Sequence, residues 1–432
     1  MICDNITRDP LGHLCLASRS VSSLAKKYGT PLYLYDEAKI REKCRTYLSA
    51  AKDFFPFGSK VMYASKAASF KRLYEIMAEE GMGIDVVSVG EIYTAKLASF
   101  PLERAYFHSN NKTDFDIEYA IKESVGYFVV DNAEELYAIN EIASSFGKTQ
   151  KVLLRITPGI DPHTYAAVAT GKVDSKFGSA IVTGQAEQMC ALALSLPSLE
   201  LYGFHCHIGS QIFDSEVYIA TAQVMLDFLK DMEVKLGYFA KELDIGGGLG
   251  VRYIADQPET DIRGVLKQVG EYMSEYSGKI GISLPTICFE PGRSIVADAG
   301  LTVYTVGTVK NIPGYKTYVS VDGGMTDNPR YALYGSPYTI LPADREIGED
   351  AMTCSVVGRC CESGDILQEN VQMPSDICRG EYIACLTTGA YHYSMASNYN
   401  RIPRAAVVML RGDEDYVAVK RENFEDLTRL DV

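Results

Sequence analysis

The 432-residue sequence contains no run near the roughly 18 apolar residues that a membrane-crossing helix needs, so no transmembrane helix is expected. It has no block of like charge, although its formal net charge is −14. Such a diffuse acidic surface disfavours nucleic acid and anionic membrane as partners. None of the 11 cysteines forms a CxxC pair, which weighs against a structural zinc site and against a disulfide framework. Free thiols suit a reducing cytoplasm. There are only six histidines, and apart from the pair His205 and His207 none shows metal-ligand spacing, so no metal is expected. The opening MICDNITRDPLGHL lacks a basic stretch followed by an apolar one, so no secretory signal is expected. With 47% hydrophobic and 23% charged residues, the chain has the balance of a globular protein able to bury a substantial core. Its length suggests more than one domain.

From residue 61 one pattern recurs: a short β-branched run, a polar or glycine-bearing turn, then a stretch with helical periodicity. The runs are VMYASK (61–66), GIDVVS (83–88), AYFHSN (105–110), GYFVVDN (126–132), KVLLRITP (151–158), LYGFHCHIGS (201–210), ELDIGGG (242–248) and TICFEPGR (286–293). Strands alternating with helices imply a parallel sheet, and eight such units predict a TIM-type (β/α)₈ barrel over 37–298. An open doubly wound sheet is the alternative. After residue 298 the runs LTVYTVGTVK, KTYVSVDGG, TCSVVGR, YIACLTTG, AAVVML and DYVAVKR predict a β-sheet domain over 299–432. TPLYLYD (30–36) is expected to join it, so residues 1–36 are assigned there as well. The polar stretch between 158 and 178 reads as a functional loop that could close over a ligand.

Polar side chains gather at the predicted C-terminal ends of the strands, the end where barrels of this kind carry their sites. These are Lys66, Asp85 and Ser88, His108 and Asn110, Asp131, Arg155, His207, Gly246–Gly248, and Glu290 with Arg293. A lysine there, buried among apolar neighbours, would lose hydration and become an amine able to condense with a carbonyl. The DIGGGLG run (244–250) offers backbone N–H groups to a phosphate, helped by the positive end of a following helix. It is not a dinucleotide fingerprint, because Val251 and Tyr253 stand where GxGxxG requires glycine. Glu290 could pair with a protonated pyridine nitrogen, and Arg293 presents a planar fork to a carboxylate or phosphate. A structural ion pair between the two remains open. His205 and His207 would share a face of the sixth strand, one of them covering a cofactor ring.

In the β domain, GRCCESGD (358–365) sets Cys360 and Cys361 beside Glu362. A thiol there can deliver a proton and the glutamate can hold an ammonium, although two buried structural cysteines would look the same. Arg330 and Tyr334 would share a face if their segment is helical, and could grip a distal carboxylate. Tyr391, in the polar segment 387–404, is the expected cofactor contact from this domain.

The motifs YASKA, DVVSVGE, HCHIGSQ, DIGGGLG, EPGRS, CESGD and GAY…SNYN, in this order between about residues 20 and 410, resemble the fold-type III pyridoxal-phosphate decarboxylases, most closely those acting on diaminopimelate. The resemblance implies pyridoxal 5′-phosphate held on Lys66, with His207 stacked on its ring. Asp85, Ser210, Gly248, Glu290, Pro291, Gly292, Arg293 and Tyr391 would complete the cofactor site. It further implies that Arg293, Arg330, Tyr334, Glu362 and Tyr391 bind an amino-acid substrate and that Cys361 donates the proton. The Cys361–Glu362 segment would come from a second subunit of a homodimer. Arg359 and His392 depart from the family's usual proline and glycine.

Overall fold

The computed structural model describes residues 1–160 and 176–432, so most of the predicted closing loop, and His163, lie outside the described residues. The chain forms two compact units. One comprises residues 43–250 and 260–294, the other residues 1–42, 251–259 and 295–432.

The first unit is built on eight parallel strands: β1 (Ser59–Ala64), β2 (Gly83–Val86), β3 (Ala105–Phe107), β4 (Tyr127–Val130), β5 (Gln150–Thr157), β6 (Leu199–His205), β7 (Glu242–Asp244) and β8 (Thr286–Phe289). β4 pairs with β5 and β8 with β1, so the sheet closes into a barrel and the open doubly wound alternative is excluded. The strands read as unbroken apolar runs because both faces are covered; all four residues of β4 are buried. The helices between them are amphipathic. In Lys71–Glu79, Leu73, Tyr74, Ile76 and Met77 face inward. Side-chain caps set helix starts directly after strands: Ser88 accepts from Glu91 N–H, and Asn132 from Glu135 N–H.

The floor of the barrel is plugged. Met62, Tyr106, Tyr127, Val129, Leu153 and Cys288 form one buried cluster, and the Tyr106 and Tyr127 rings stack at 4.3 Å. Lys60 Nζ lies 3.0 and 3.1 Å from their hydroxyls and ion-pairs with Glu242.

The second unit is a β-sheet with the strand order Ile366–Pro374, Ala351–Val357, Lys316–Val321, Gly300–Ile312, Leu32–Asp36, Ala406–Arg411, Glu414–Val419. The 13-residue strand Gly300–Ile312 organises it. Its first half pairs with Leu32–Asp36 on one side and Tyr382–Leu386 on the other, bringing Leu301 level with Leu34 and Leu386 in the core. TPLYLYD therefore joins this sheet, as its composition suggested. Residues 251–259, sequence neighbours of the glycine run, also belong to this unit: Tyr253 O accepts from Thr339 Oγ1 at 2.8 Å.

Candidate active site

Parallel pairing puts the strand ends on one level. His205, the last residue of β6, is in register with Asp244 at the end of β7, and Asp244 with Cys288 in β8. Glu290 follows directly. His108 follows β3 and Asp85 lies in β2. The result is a polar cluster in a dry barrel mouth, with Asp85, His108, His205, Asp244 and Glu290 all at most 7% exposed by residue or side chain.

Glu290 is its centre. His205 Nε2 lies 3.1 Å from Oε2 and His108 Nε2 2.7 Å from Oε1, the latter without the alignment of a good hydrogen bond. Burial pushes the Glu290 carboxyl up, but the two histidines outweigh it and hold it well below the usual carboxylate range. Burial pulls His205 down to about 4 against the opposing pull of Glu290, so its imidazole is neutral at neutral pH. Asp85 and Asp244 are driven the other way, by burial first; Glu290 adds to both, while His108 opposes the shift at Asp85. His108, His205 and Glu290 place ligand-type atoms within 4.8 Å of one another. His205 Nε2, however, faces Glu290 Oε2 as a donor and would have to give up its proton to coordinate a cation.

Lys66 stands on the same rim. It lies in the 3₁₀ turn Ser65–Ala67 after β1, the strand paired with β8. Ala64 N–H donates to Pro291 O at 3.1 Å. A Cβ on Gly292 would come within 2.9 Å of the Ala64 side chain and 3.1 Å of Ala67, so the EPGR turn lies flush against the turn that carries the lysine. The expectation that Lys66 is buried among apolar neighbours is not met: Ser65 and Ala67 are buried, but Lys66 itself is exposed. The turn lifts its side chain out of the strand. Carboxylates in the barrel mouth, not apolar surroundings, set its environment, with Asp85 and Glu91 both within electrostatic reach.

The glycine run forms a cradle. Cβ atoms on Gly246, Gly247 and Gly248 would meet Cys206 O at 2.7 Å, Glu290 O at 2.1 Å and Gly209 O at 2.3 Å, so only glycine lets these loops approach each other. Gly246 and Gly248 also have φ of +72° and +108°. Ile212 N–H donates to Gly248 O and Gly250 N–H to Ile212 O, which ties the 209–212 loop to the cradle. Arg293 pairs not with Glu290 but with Ser210, whose Oγ accepts from Nη2 at 2.9 Å and Nε at 3.2 Å. The helix expected just behind the glycines is not there. The next one starts at Ile262, so the anion-binding character of the cradle comes from backbone N–H groups and Arg293. His207 lies beyond the end of β6 rather than sharing its face with His205; its ring packs over Gly246, whose added Cβ would meet Nδ1 at 2.8 Å.

The cluster fits pyridoxal phosphate part by part: an amine for the aldehyde, an ionised buried carboxylate for the ring nitrogen, an imidazole beside the ring position, and a side-chain-free cradle with Arg293 and Ser210 for the phosphate.

In the second unit, Arg330–Tyr334 is a short helix. The Arg330 guanidinium is buried and lies 4.9 Å from the Tyr334 ring and 5.1 Å from the Tyr391 ring, and its Nε has no hydrogen-bond partner among the described residues. Tyr391 takes a left-handed φ of +63°, which turns the segment at this point. Cys361 and Glu362 are exposed, so the alternative of two buried structural cysteines does not hold; Cys360 is half-buried. The CESGD turn is rigid nonetheless. Asp365 accepts from Cys360 N–H at 2.7 Å and Met325 N–H at 2.6 Å, and Asn400 accepts from Cys361 N–H at 2.9 Å. Burial pushes the Cys360 thiol up to about 12, leaving it protonated. Sequence reasoning gave no role to Asp244 or His108, since neither spacing nor motif signals that they converge on Glu290.

The family model "Pyridoxal-dependent decarboxylase, pyridoxal binding domain" matches residues 37–297, and the chain belongs to the pyridoxal-dependent decarboxylases, enzymes that use pyridoxal phosphate. The diaminopimelate decarboxylase of Bacillus subtilis (strain 168) is 43% identical over 424 residues, 98% of this chain and 95% of the relative. A crystal structure of diaminopimelate decarboxylase from M. jannaschii in co-complex with L-lysine superposes with a TM-score of 0.93 at 31% identity, covering 100% of this chain and 98% of that one. The Helicobacter pylori enzyme complexed with L-lysine gives 0.86 at 33%, covering 95% and 98%. Within the larger family the chain belongs to the diaminopimelate decarboxylases.

Proposed function

We propose that the protein decarboxylates meso-2,6-diaminopimelate to L-lysine and carbon dioxide with pyridoxal 5′-phosphate on Lys66. The observation that carries this reading is the ionised Glu290 on the same barrel rim as Lys66, beside a glycine cradle, in a chain similar over its whole length to enzymes of that name.

The bound cofactor supplies an electron sink for the pair left when the carboxylate departs. The protein does the rest. Lys66 offers the amine that holds the aldehyde and accepts exchange with the substrate's amine. Glu290 keeps a proton on the ring nitrogen. Arg293, Ser210 and the cradle around Gly248 hold the phosphate, with Pro291 and Gly292 fixing the turn; Asp85 and His207 bound the ring. Arg330, Tyr334 and Tyr391 would receive the distal carboxylate and Glu362 the distal ammonium, fixing the substrate's orientation for loss of its other carboxylate. Cys361 returns a proton to the carbon. Supplied by a second subunit, Cys361 and Glu362 make the homodimer the catalytic unit. Free thiols and an acidic surface suit a cytoplasmic enzyme.

A decarboxylase of ornithine, arginine or carboxynorspermidine is the second reading. The buried Arg330 between two tyrosines disfavours it, because the first two of these substrates bring no distal carboxylate to that guanidinium. Incubation with pyridoxal phosphate and meso-diaminopimelate should release carbon dioxide and lysine in equal amounts. Lys66→Ala should abolish turnover and Cys361→Ala should slow it about 100-fold or more through lost proton delivery. Faster turnover of ornithine than of meso-diaminopimelate would overturn the substrate assignment.

A further inference from the structure

Three buried carboxyls, Asp85, Asp244 and Glu290, share the barrel mouth, and they cannot all be ionised in so dry a volume. Which one carries the charge matters. A protonated Glu290 would offer a hydrogen to the cofactor's ring nitrogen where an acceptor is needed. The backbone does not choose among the three: all lie at or within one residue of the C-terminal ends of their strands. The side chains choose. Only Glu290 has an imidazole nitrogen close to each of its oxygens, His205 Nε2 at 3.1 Å and His108 Nε2 at 2.7 Å. Asp85 has an imidazole nitrogen only on one side, His108 at 3.7 Å, and Asp244 has none: it accepts from Gly246 N–H at 2.7 Å and turns towards Glu290, which helps to raise it.

We propose that His108 and His205 are positioning residues for the cofactor's pyridine ring, two imidazoles that set Nε2 against the two oxygens of Glu290 and so select it as the ionised carboxylate of the cluster. This rests on the pyridoxal-phosphate reading of the site. The two rings lie edge to face at 4.9 Å and 75°, so each props the other against Glu290. The charged and titratable groups around them are Lys66 from the turn after β1, Asp85 from β2, Glu91 from the helix Val89–Leu97, Asp131 directly after β4, Arg155 from β5, His207 from the loop after β6 and Asp244 from β7. Of these, Lys66 and Arg155 are the cations. Arg155 adds to the burial that lowers His205, so that imidazole stays neutral and able to donate, while Lys66 acts on His207.

The test compares two side-chain amides of different reach. In His205→Gln the amide nitrogen can reach the place of Nε2; in His205→Asn it stops near that of Nδ1. Both are polar and smaller than histidine, so a merely structural role would be disturbed alike by the two. Affinity of the cofactor-free protein for pyridoxal phosphate is followed by fluorescence, and the absorbance of the loaded protein is titrated with pH. His205→Asn should bind the cofactor about tenfold more weakly, the loss expected for one hydrogen bond to a charged group, and should shift the pH titration of the bound chromophore. It should lower kcat with the substrate KM within about twofold, since the altered group does not touch substrate. His205→Gln should recover affinity and titration to within about threefold of the wild type. The pair His108→Gln and His108→Asn should repeat the pattern. Equal behaviour of Gln and Asn variants, or a chromophore titration unchanged in His205→Asn, would overturn the proposal. If cofactor binding and titration follow the prediction but no diaminopimelate is consumed by the wild type, the substrate reading fails and the histidine proposal stands.

Discussion

Single atoms decide the site at the residue scale. Gly248 combines a φ of +108° with a position where a Cβ would lie 2.3 Å from Gly209 O. Gly248→Ala should therefore store about 1–3 kcal/mol of strain, push the two loops apart and weaken pyridoxal-phosphate binding about tenfold or more. Gly278 in the helix Ile262–Ile280 is the control, with nothing within 4 Å of its added Cβ. Gly278→Ala should bind cofactor normally and gain about 0.5–1 kcal/mol of stability. Equal affinity in the two variants would show that the cradle tolerates a side chain. Lys66, Glu290 and the glycines were legible in the sequence because each is the residue type its chemistry demands at a strand end. His108 was read as lying on that rim, but its approach to Glu290, like that of Asp244, was not legible, because it is defined only by a neighbour 182 or 46 positions away that the chain brings alongside.

At the scale of elements, two polar contacts show what joins strands to their surroundings. On the barrel floor Glu242 is 2% exposed and is paired with Lys60 and with Tyr106, which donates at 2.8 Å. Lys60→Met leaves that charge half-partnered. The expected cost is about 3 kcal/mol, the low end for a broken buried pair because Lys60 is itself 37% exposed. Adding Glu242→Leu should return most of it, and a double variant no better than the single one in chemical denaturation would contradict this account. In the second unit Asp415, on the strand Glu414–Val419, receives Lys27 and Arg19 at 2.5 Å and the Tyr28 hydroxyl. Lys27 and Tyr28 hold its carboxyl down at about 2 against burial, with Arg19 assisting. Since the folded value lies below the ordinary value of about 3.9, its stabilisation is present above pH ~4 and is lost as pH falls towards 2. Asp415→Asn should lower stability by about 1 kcal/mol near neutral pH, the scale of a partly exposed network. In thermal melts the gap to wild type should close between pH 4 and 2; a gap constant across that range would refute the assignment.

For the whole molecule the question is whether one chain suffices. Cys361 and Glu362 are exposed on a turn that Asp365 and Asn400 hold rigid, an arrangement suited to reaching a neighbour. Lys66→Ala and Cys361→Ala proteins, each inactive or slow alone, should regain about a quarter of wild-type activity when unfolded, mixed and refolded together. Random reassortment makes half the pairs mixed, and each mixed pair has one intact site of two. No recovery in mixed dimers shown to form would mean that each site is completed within its own chain.

The sequence alone determined the eight strand–helix units, the β-rich remainder and the rim to which the polar side chains gather. Strand periodicity, turn residues and the fold's directional rule are local or topological, and one chain states them. It did not determine the exposure of Lys66, the absence of a helix behind the glycines, the separate duties of His205 and His207, or the assignment of residues 251–259 to the β unit. It was also silent on which of three buried acids carries the charge. Those depend on distances between residues far apart in the chain, and electrostatics in a dry volume changes sign with a few ångströms of placement that only the closed barrel supplies.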